Sequence, residues 1–393
     1  MSAPDASSIL LLATVETKRE EIAFFSDALA ERGVTARTID ISLSSNGEVW
    51  DGARKLAAMD EAAMSAIAAI HDLLEAGEIR TLVGLGGGTG GEIILRVLRK
   101  MPFAFPKMLI TTLPFDPRFA LADNSIVLVP TLADICGLNA SLRQVLNNAA
   151  AMVAGLCEAP TNTGHVSDNP SIGITALGAT GGAATHLVRL VREQGHEATV
   201  FHANGFGGAA YARFASHGAL KAVIDMTCHE LTRILFTGAH IDMPTRFTAA
   251  ASAGLPQVVL PGGLNFLGLG ELALVPQRFL ERPHYRHSGY FTHVKLTPEE
   301  MDGAARVLMN YLNAAERPVD LIIPMGGFSH QDAPGGEIED VSLRELFAQI
   351  ASEQAASNVS ITKLPYHIND LKTASAAAVA LASALDNGTA KGH

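Results

Sequence analysis

The residues with the clearest chemical potential are glycines. Gly86-Gly87-Gly88-Thr89-Gly90-Gly91 places five glycines in six positions, directly after the apolar run Thr81–Leu85. Glycine has no Cβ and reaches positive φ, so such a turn can aim several backbone N–H groups at one anion with nothing bulky in the way. A helix starting there adds its unpaired N-terminal amides and the positive end of its dipole. Thr89 adds a hydroxyl suited to a phosphate oxygen or a hydrated metal. The run therefore reads as a backbone-lined phosphate cradle; a tight strand-to-helix turn that binds nothing is the alternative. It is not a Walker A loop, since no Gly-x-x-x-x-Gly-Lys-[Ser/Thr] occurs. Nor is it an NAD fingerprint, because the ~20 residues after it lead to Thr111-Thr112 rather than to an acid at a strand end.

A cradle of neutral amides calls for a counter-charge. Lys18, in Thr14-Val15-Glu16-Thr17-Lys18 at the end of the first apolar run, is the candidate in the chain, with Mg2+ as the alternative source. An ordinary first-turn helix lysine is the competing reading. The second half has comparable turns: Gly178-Ala179-Thr180-Gly181-Gly182, His202–Gly208 with Asn204 and Gly205, Pro261–Asn265, and Met325–His330. In an open parallel sheet such turns share the crevice at the strands' carboxyl ends. They are expected to converge near a cleft between domains. The residues expected to hold a phosphate-bearing cofactor are thus Thr14, Lys18, Gly86, Gly87, Gly88, Thr89, Gly90 and Gly91, joined by Gly178, Thr180, Gly181, Asn204 and Gly205.

For proton transfer, His202, His330 and His367 stand at strand ends, and imidazole titrates near neutral pH. Cys228-His229-Glu230 has the residue types of a nucleophile, base and acid, but neighbours in sequence seldom face one another, so a helix start is expected there. No His-x-x-x-His or His-Glu-x-x-His occurs, so zinc is not expected. Asp242, Asp332 and Asp370 are loop carboxylates of the kind that hold Mg2+. Arg278, Arg282, Arg286 and His287 form a basic cluster that reads as a solvated loop.

The elements that must position these groups alternate along the chain. Short apolar runs (Ile9–Val15, Val34–Ile41, Thr81–Leu85, Lys107–Thr112, Ser125–Val129) alternate with helical patterns at Lys18–Arg32, Ala57–Ala76, Glu92–Lys100 and Asn139–Cys157. A polar, proline-bearing stretch follows, and the same grammar restarts at Ile172. The expectation is an α/β protein of two Rossmann-like domains, each a mainly parallel sheet with helices on both faces. They span residues 1–158 and 171–393, with 159–170 as the linker.

Composition narrows the classes. The 393 residues are 48% hydrophobic and only 18% charged, which excludes a disordered chain. A net charge of −11 argues against a general nucleic-acid binder, which needs a basic face. No apolar run reaches the ~20 residues of a membrane span. The N-terminus lacks the basic region of a signal peptide. Three separated cysteines fit a reducing cytoplasm. The expected partner is a small-molecule nucleotide, with no nucleic acid and no membrane, and a homo-oligomer is expected. Two rival readings keep the same elements: an enzyme acting on a small phosphorylated or carboxylated metabolite in the same cleft, and a regulatory module whose protein-binding surface matters more than its pocket.

Taken in order, Glu16-Thr17-Lys18, Leu85–Gly91, Phe201-His-Ala-Asn-Gly-Phe-Gly-Gly208, Leu255-Pro-Gln-Val-Val-Leu-Pro-Gly262, Asp332-Ala-Pro-Gly335 and His367-Ile-Asn-Asp370 form a set. It resembles the family named after the ATP-binding inhibitory domain of the tomato mosaic virus resistance protein, over nearly the whole chain. The resemblance implies two Rossmann-like domains and binding of ATP with a divalent cation, Mg2+. The plant member's antiviral role is not implied, because it goes with a further barrel-like domain. Two departures stand out. Glu16 replaces the aspartate of an Asp-Thr-Lys, and Met226-Thr-Cys-His-Glu230 replaces a threonine-rich stretch.

Overall fold

In the computed structural model the described residues are 9–45, 48–114, 116, 121–158, 169–237 and 243–389. Of the expected linker, only Asn169 and Pro170 fall within them, and Asp242 lies outside. The chain divides into two compact units, Met1–Thr163 and Gly164–His393.

The first unit runs β1 (Ile9–Ala13), α1 (Val15–Ala30), β2 (Ala36–Asp40), α2 (Gly52–Glu75), β3 (Thr81–Leu85), α3 (Gly88–Leu98), β4 (Lys107–Thr111), β5 (Val127–Pro130) and α4 (Ala140–Glu158). Its sheet has the order β2-β1-β3-β4-β5, with every pair parallel. Alternate residues of each strand serve opposite faces. Ile9, Leu11, Val83, Leu85, Met108 and Ile110 join the core layer under α1 and α4. Leu10, Leu12, Leu82 and Leu109 join the layer under α2 and α3. Both faces are covered, which is why β1, β3 and β4 are buried at every position and read as continuous apolar runs. At the start of β4, the buried Lys107 ammonium donates to the carbonyls of Pro102, Phe103 and Phe105 at 2.6, 3.1 and 3.3 Å.

The second unit repeats the plan with additions. It runs β6 (Ser171–Ala176), α5 (Gly181–Glu193), β7 (Ala198–His202), α6 (Phe206–Ser216), β8 (Leu220–Thr227), β9 (Gln257–Gly262), β10 (Phe266–Leu269), β11 (His284–Arg286), β12 (Thr292–Lys295), α7 (Pro298–Asn313), β13 (Val319–Pro324), α8 (Val341–Gln354), β14 (Val359–Leu364) and α9 (Leu371–Thr389). The large sheet has the order β14-β13-β9-β8-β6-β7, again all parallel. Two parallel sheets flanked by helices are the architecture expected from the sequence. The small antiparallel sheet β10-β12-β11 is an addition. Its strands hold three or four residues each, too short for a periodic signal, and it contains Arg286 of the cluster that read as loop.

The sheet order changes direction between β1 and β3 in the first unit and between β6 and β8 in the second. Ligands of open α/β sheets bind at such switch points, outside the strands' carboxyl ends. The helix after the first glycine run starts earlier than its pattern suggests, at Gly88 rather than Glu92. The run itself supplies the first turn, because α3 lies close against the sheet. A Cβ on Gly86 would stand 2.7 Å from the Gly91 nitrogen, and one on Gly90 would stand 3.3 Å from Thr14 Cγ2. At Gly88 the nearest atom would be Pro114 Cγ at 3.9 Å. Gly86 and Gly90 thus serve packing, whereas Gly88 is exposed and has room in front of it. Among the described residues no helix is long and apolar enough to cross a membrane.

Candidate phosphate site

Four helices begin at the carboxyl edges around the two switch points, and each presents unpaired amides there. At α1 the amides are taken. Asp40 Oδ1, at the end of β2, accepts from Val15 N–H at 3.1 Å, and Ser42 Oγ accepts from Glu16 N–H at 3.0 Å. Burial would push the Asp40 carboxyl up, but hydrogen bonds from Ser42 and the Val15 amide outweigh it and hold the group below its ordinary value.

At α5, the second glycine run, Asn369 fills the place of a ligand. Its Oδ1 accepts from Ala183 N–H and its Nδ2 donates to Ala179 C=O, both at 3.1 Å. A Cβ on Gly182 would stand 3.2 Å from Asn369 Cβ. Thr180 is buried, its hydroxyl accepting from Leu177 N–H at 3.0 Å and bonding the Thr227 hydroxyl at 2.9 Å. Gly178 is exposed and lies against the His287 ring, while Gly181 is half-buried.

At α6 the anion is internal. Glu230 Oε1 accepts from Gly205 N–H at 2.6 Å, and Gly208 leaves the space that this carboxylate occupies. Gly205 adopts φ +107° to turn its amide inward. Asn204 accepts through its backbone carbonyl from Arg233 at 3.3 Å.

At α3 no side chain among the described residues caps the helix: the N-cap is Gly87, and no side-chain oxygen accepts from the first turn. Around that turn stand hydroxyls. Thr14 touches Gly90, and Thr112 Oγ1 would be 3.8 Å from a Cβ on Gly87. Thr111, at the end of β4, is fully buried, and its hydroxyl has no hydrogen-bond partner among the described residues. Met108 and Ile110 point to the α1/α4 layer, so Thr111 points to the face covered by α3. The Gly86 N–H donates to Ile110 C=O at 3.1 Å, which places Thr111 at the level where α3 begins. Lys18 lies one turn after Thr14, at a break in α1 (φ −127°, ψ 26°), and its ammonium donates to Ile135 C=O.

Cys228, His229 and Glu230 face three different ways. The Cys228 thiol donates to Leu260 C=O at 3.3 Å, and burial pushes its pKa well up. His229 Nδ1 bonds Gly263 C=O at 3.2 Å. Glu230 turns to Gly205 and to Arg246, whose Nε donates to it at 2.5 Å. Arg246 is fully buried and also holds Asp225 through two bonds, at 2.7 and 2.8 Å. Burial opposes its charge, but these two carboxylates hold it charged well beyond the ordinary guanidinium range. Thr175 Oγ1 donates to Asp225 at 2.6 Å. No nucleophile–base–acid relay exists here; the three residues anchor the switch point of the second sheet. Sequence reasoning missed Asp225 and Arg246, although an aspartate inside the apolar strand Ala222–Met226 signals a buried cation to match it.

The histidines divide. His202 is exposed at the end of β7, and His330 is exposed at the start of a short 3-10 turn, His330–Asp332, in the loop after β13. His367 has both nitrogens engaged: Nδ1 accepts from Asn369 N–H at 3.1 Å, so Nε2 carries the proton donated to Ser329 C=O at 2.8 Å. His229, Phe266, His293 and His287 stack in a column with ring centroids 4.4, 4.2 and 4.8 Å apart. Burial, then the neighbouring His293 and Arg233, push His229 down to about 3. Burial and His287 do the same to His293, also to about 3. Of the loop carboxylates, Asp332 is buried and accepts from Phe328 N–H, Asp340 N–H and Arg344. Asp370 accepts from His367 N–H at 2.9 Å. Among the described residues no three His, Cys, Asp or Glu side chains group to hold a metal.

Comparison with known proteins fits this division. The model of the Uncharacterised protein family (UPF0261) N-terminal domain matches residues 7–162, and that of the family's C-terminal domain matches residues 169–385. The chain belongs to the UPF0261 family. A UPF0261 protein of Rhizobium meliloti (strain 1021) is 31% identical over 391 residues, covering 95% of this chain and 98% of that one. A UPF0261 protein of Mesorhizobium japonicum is 30% identical over 395 residues, with the same shares. The ToMV resistance protein Tm-1 of Solanum lycopersicum is 28% identical over 302 residues, which are 75% of this chain and 40% of the plant protein. The link to the plant resistance protein, read from the ordered motifs, is thereby borne out.

Proposed function

We propose that this UPF0261 protein binds a nucleotide, ATP, with its phosphates against the first turn of α3. One observation carries the reading. Of the four helix starts, α1 has its first amides taken by Asp40 and Ser42, α5 has Ala183 N–H taken by Asn369, and α6 has Gly207 N–H 3.5 Å from Asn204 Oδ1 with Glu230 on the preceding Gly205 N–H, while α3 has no side-chain cap among the described residues. Amides of a helix's first turn attract phosphate through both hydrogen bonding and the dipole. The resemblance to the ATP-binding family supports the choice of nucleotide.

In this reading Gly87, Gly88 and Thr89 hold phosphate oxygens, and Lys18 supplies positive charge from the adjoining helix. Mg2+ usually keeps several waters and takes phosphate oxygens with few protein ligands. The site suits that mode, offering the hydroxyls of Thr89 and Thr14 rather than a carboxylate cage. The ion's contribution is to neutralise phosphate charge. A cytoplasmic location belongs to the same proposal and is supported by three free cysteines; so does self-association, which light scattering tests.

The experiment is isothermal titration of the whole protein with ATP, with and without Mg2+, and with adenosine and tripolyphosphate as controls. ATP and tripolyphosphate are expected to bind and adenosine to bind far more weakly. Adenosine binding as tightly as ATP, or no heat with either phosphate, overturns the reading.

A further inference from the structure

We propose that the second unit carries a ligand site of its own, at the carboxyl ends of β6, β9 and β13, which takes a small carboxylate bearing a hydroxyl or amino group on the neighbouring carbon. The site shares no residue with the α3 turn, so it stands or falls independently of the nucleotide reading.

Direct contacts bring the three turns together. The turn after β6 is Gly178–Thr180, and a Cβ on the exposed Gly178 would stand 3.7 Å from His287 Cε1. The turn His330–Asp332, in the loop after β13, packs on it. Ala179 shares an apolar cluster with Phe266 and Ile338, and Ile338 N–H donates to Gln331 C=O at 3.3 Å. From the loop after β9, Gly263 N–H donates to Phe328 C=O at 2.8 Å, and Asn265 Nδ2 donates to Ser329 Oγ at 3.2 Å. Asn265, Ser329 and Gln331 are thus gathered at the Phe266–His293–His287 stack, whose outer ring lies against Gly178.

Two layers of unused polar groups meet there. In the inner layer, Asn265 is 2% exposed and Gln331 5%, and among the described residues neither Asn265 Oδ1 nor Gln331 Oε1 has a hydrogen-bond partner. Buried carbonyl oxygens ordinarily find a donor. His293 Nδ1, in the stack, is likewise buried and unpartnered among them. In the outer layer, His287 and His330 are exposed, and neither ring makes a hydrogen bond among the described residues. His330 and Gln331 are neighbours in one 3-10 turn, where successive side chains leave about 120° apart. His330 therefore points to solvent and Gln331 inward.

The two layers ask for different chemistry in one ligand. An imidazole N–H suits a carboxylate oxygen, whereas an amide oxygen accepts only from a donor. Phosphate or a plain carboxylate would set oxygens against Asn265 Oδ1 and Gln331 Oε1. A carboxylate with a hydroxyl or ammonium beside it satisfies both layers. Asp332, next to Gln331, does not repel it, because Arg344 pairs with that carboxylate. The inner groups are closely covered, so the ligand is small.

The test uses three probes on one carbon skeleton: L-lactate, L-alanine and propionate. Each is titrated into the whole protein carrying 13C-labelled histidine, and ring signals are read by NMR, assigned with His287→Gln and His330→Gln. L-lactate or L-alanine is expected to shift the His287 and His330 signals saturably, the tighter of the two naming the donor. Propionate is expected to bind at least about tenfold more weakly, the scale of one lost hydrogen bond. Gln331→Met, nearly equal in shape, is expected to abolish that preference while the thermal midpoint holds or rises, since it removes an unpartnered buried carbonyl. No saturable shift with either L-lactate or L-alanine overturns the inference. Propionate binding as tightly as both, or a preference unchanged in Gln331→Met, also overturns it.

Discussion

Asn369 and Ala183 are joined by one hydrogen bond, Oδ1 to N–H at 3.1 Å, and that bond separates two glycine runs that look alike in sequence. The start of α5 is closed from within by a side chain delivered from the loop after β14. The start of α3 has no counterpart among the described residues. Asn369→Ala is expected to cost about 1 kcal/mol, the usual value of a lost helix N-cap. Urea unfolding measures it, and ATP affinity should not move, since the contact lies in the other unit.

Arg246 between Asp225 and Glu230 sets a much larger cost. Removing one partner of a buried ion pair leaves an uncompensated charge, a loss of about 3–5 kcal/mol. Arg246→Met leaves two carboxylates buried without their cation, so the loss is expected at the top of that range or the unit will not fold. Arg246→Lys is expected to rescue it only in part, because lysine cannot reproduce the two-bonded grip on Asp225. Urea midpoints of the two variants, read by circular dichroism, check both statements.

The stacked histidines give a pH dependence with a definite sign. His229 and His293 titrate near 6.5 in the unfolded chain but only at about 3 when folded. Between those values the unfolded state binds more protons, so stability rises with pH. Stability is fully present above about pH 6.5 and falls as the pH drops through 6 and 5, with a slope approaching one proton for each histidine. His293→Phe keeps a flat ring in the stack and should remove about one proton from that slope. Urea unfolding at a series of pH values between 5 and 7 gives the slope directly.

Much of this was legible in the sequence. Strands buried on both faces, such as Ile9–Ala13 and Thr81–Leu85, read as unbroken apolar runs because no face meets water. The glycine runs marked the helix starts. What could not be read was how each start is satisfied. Asn369 reaches α5 across 186 residues of chain, and Asp40 reaches α1 across 25. Such contacts depend on strand order, which local pattern does not encode. Cys228-His229-Glu230 starts a short helix, His229–Thr232, as expected, but that Glu230 turns to Gly205 and Arg246 could not be read, because side-chain directions do not show in sequence. The short strands β10, β11 and β12 escaped notice because three or four residues carry no period.

The central claim is that the first turn of α3 holds phosphate, and Gly88 is where it can be tested without breaking the fold. A Cβ at Gly86 would press on the Gly91 nitrogen at 2.7 Å, so a substitution there mixes packing with binding. At Gly88 the nearest atom would be 3.9 Å away, so Gly88→Val should fold while placing bulk beside the open amides. The decisive measurement is the ATP dissociation constant of Gly88→Val against wild type, with the thermal midpoints compared alongside. An affinity loss of at least about tenfold, or 1.4 kcal/mol, at a nearly unchanged midpoint is the result predicted. Equal affinity in a folded Gly88→Val protein would contradict it.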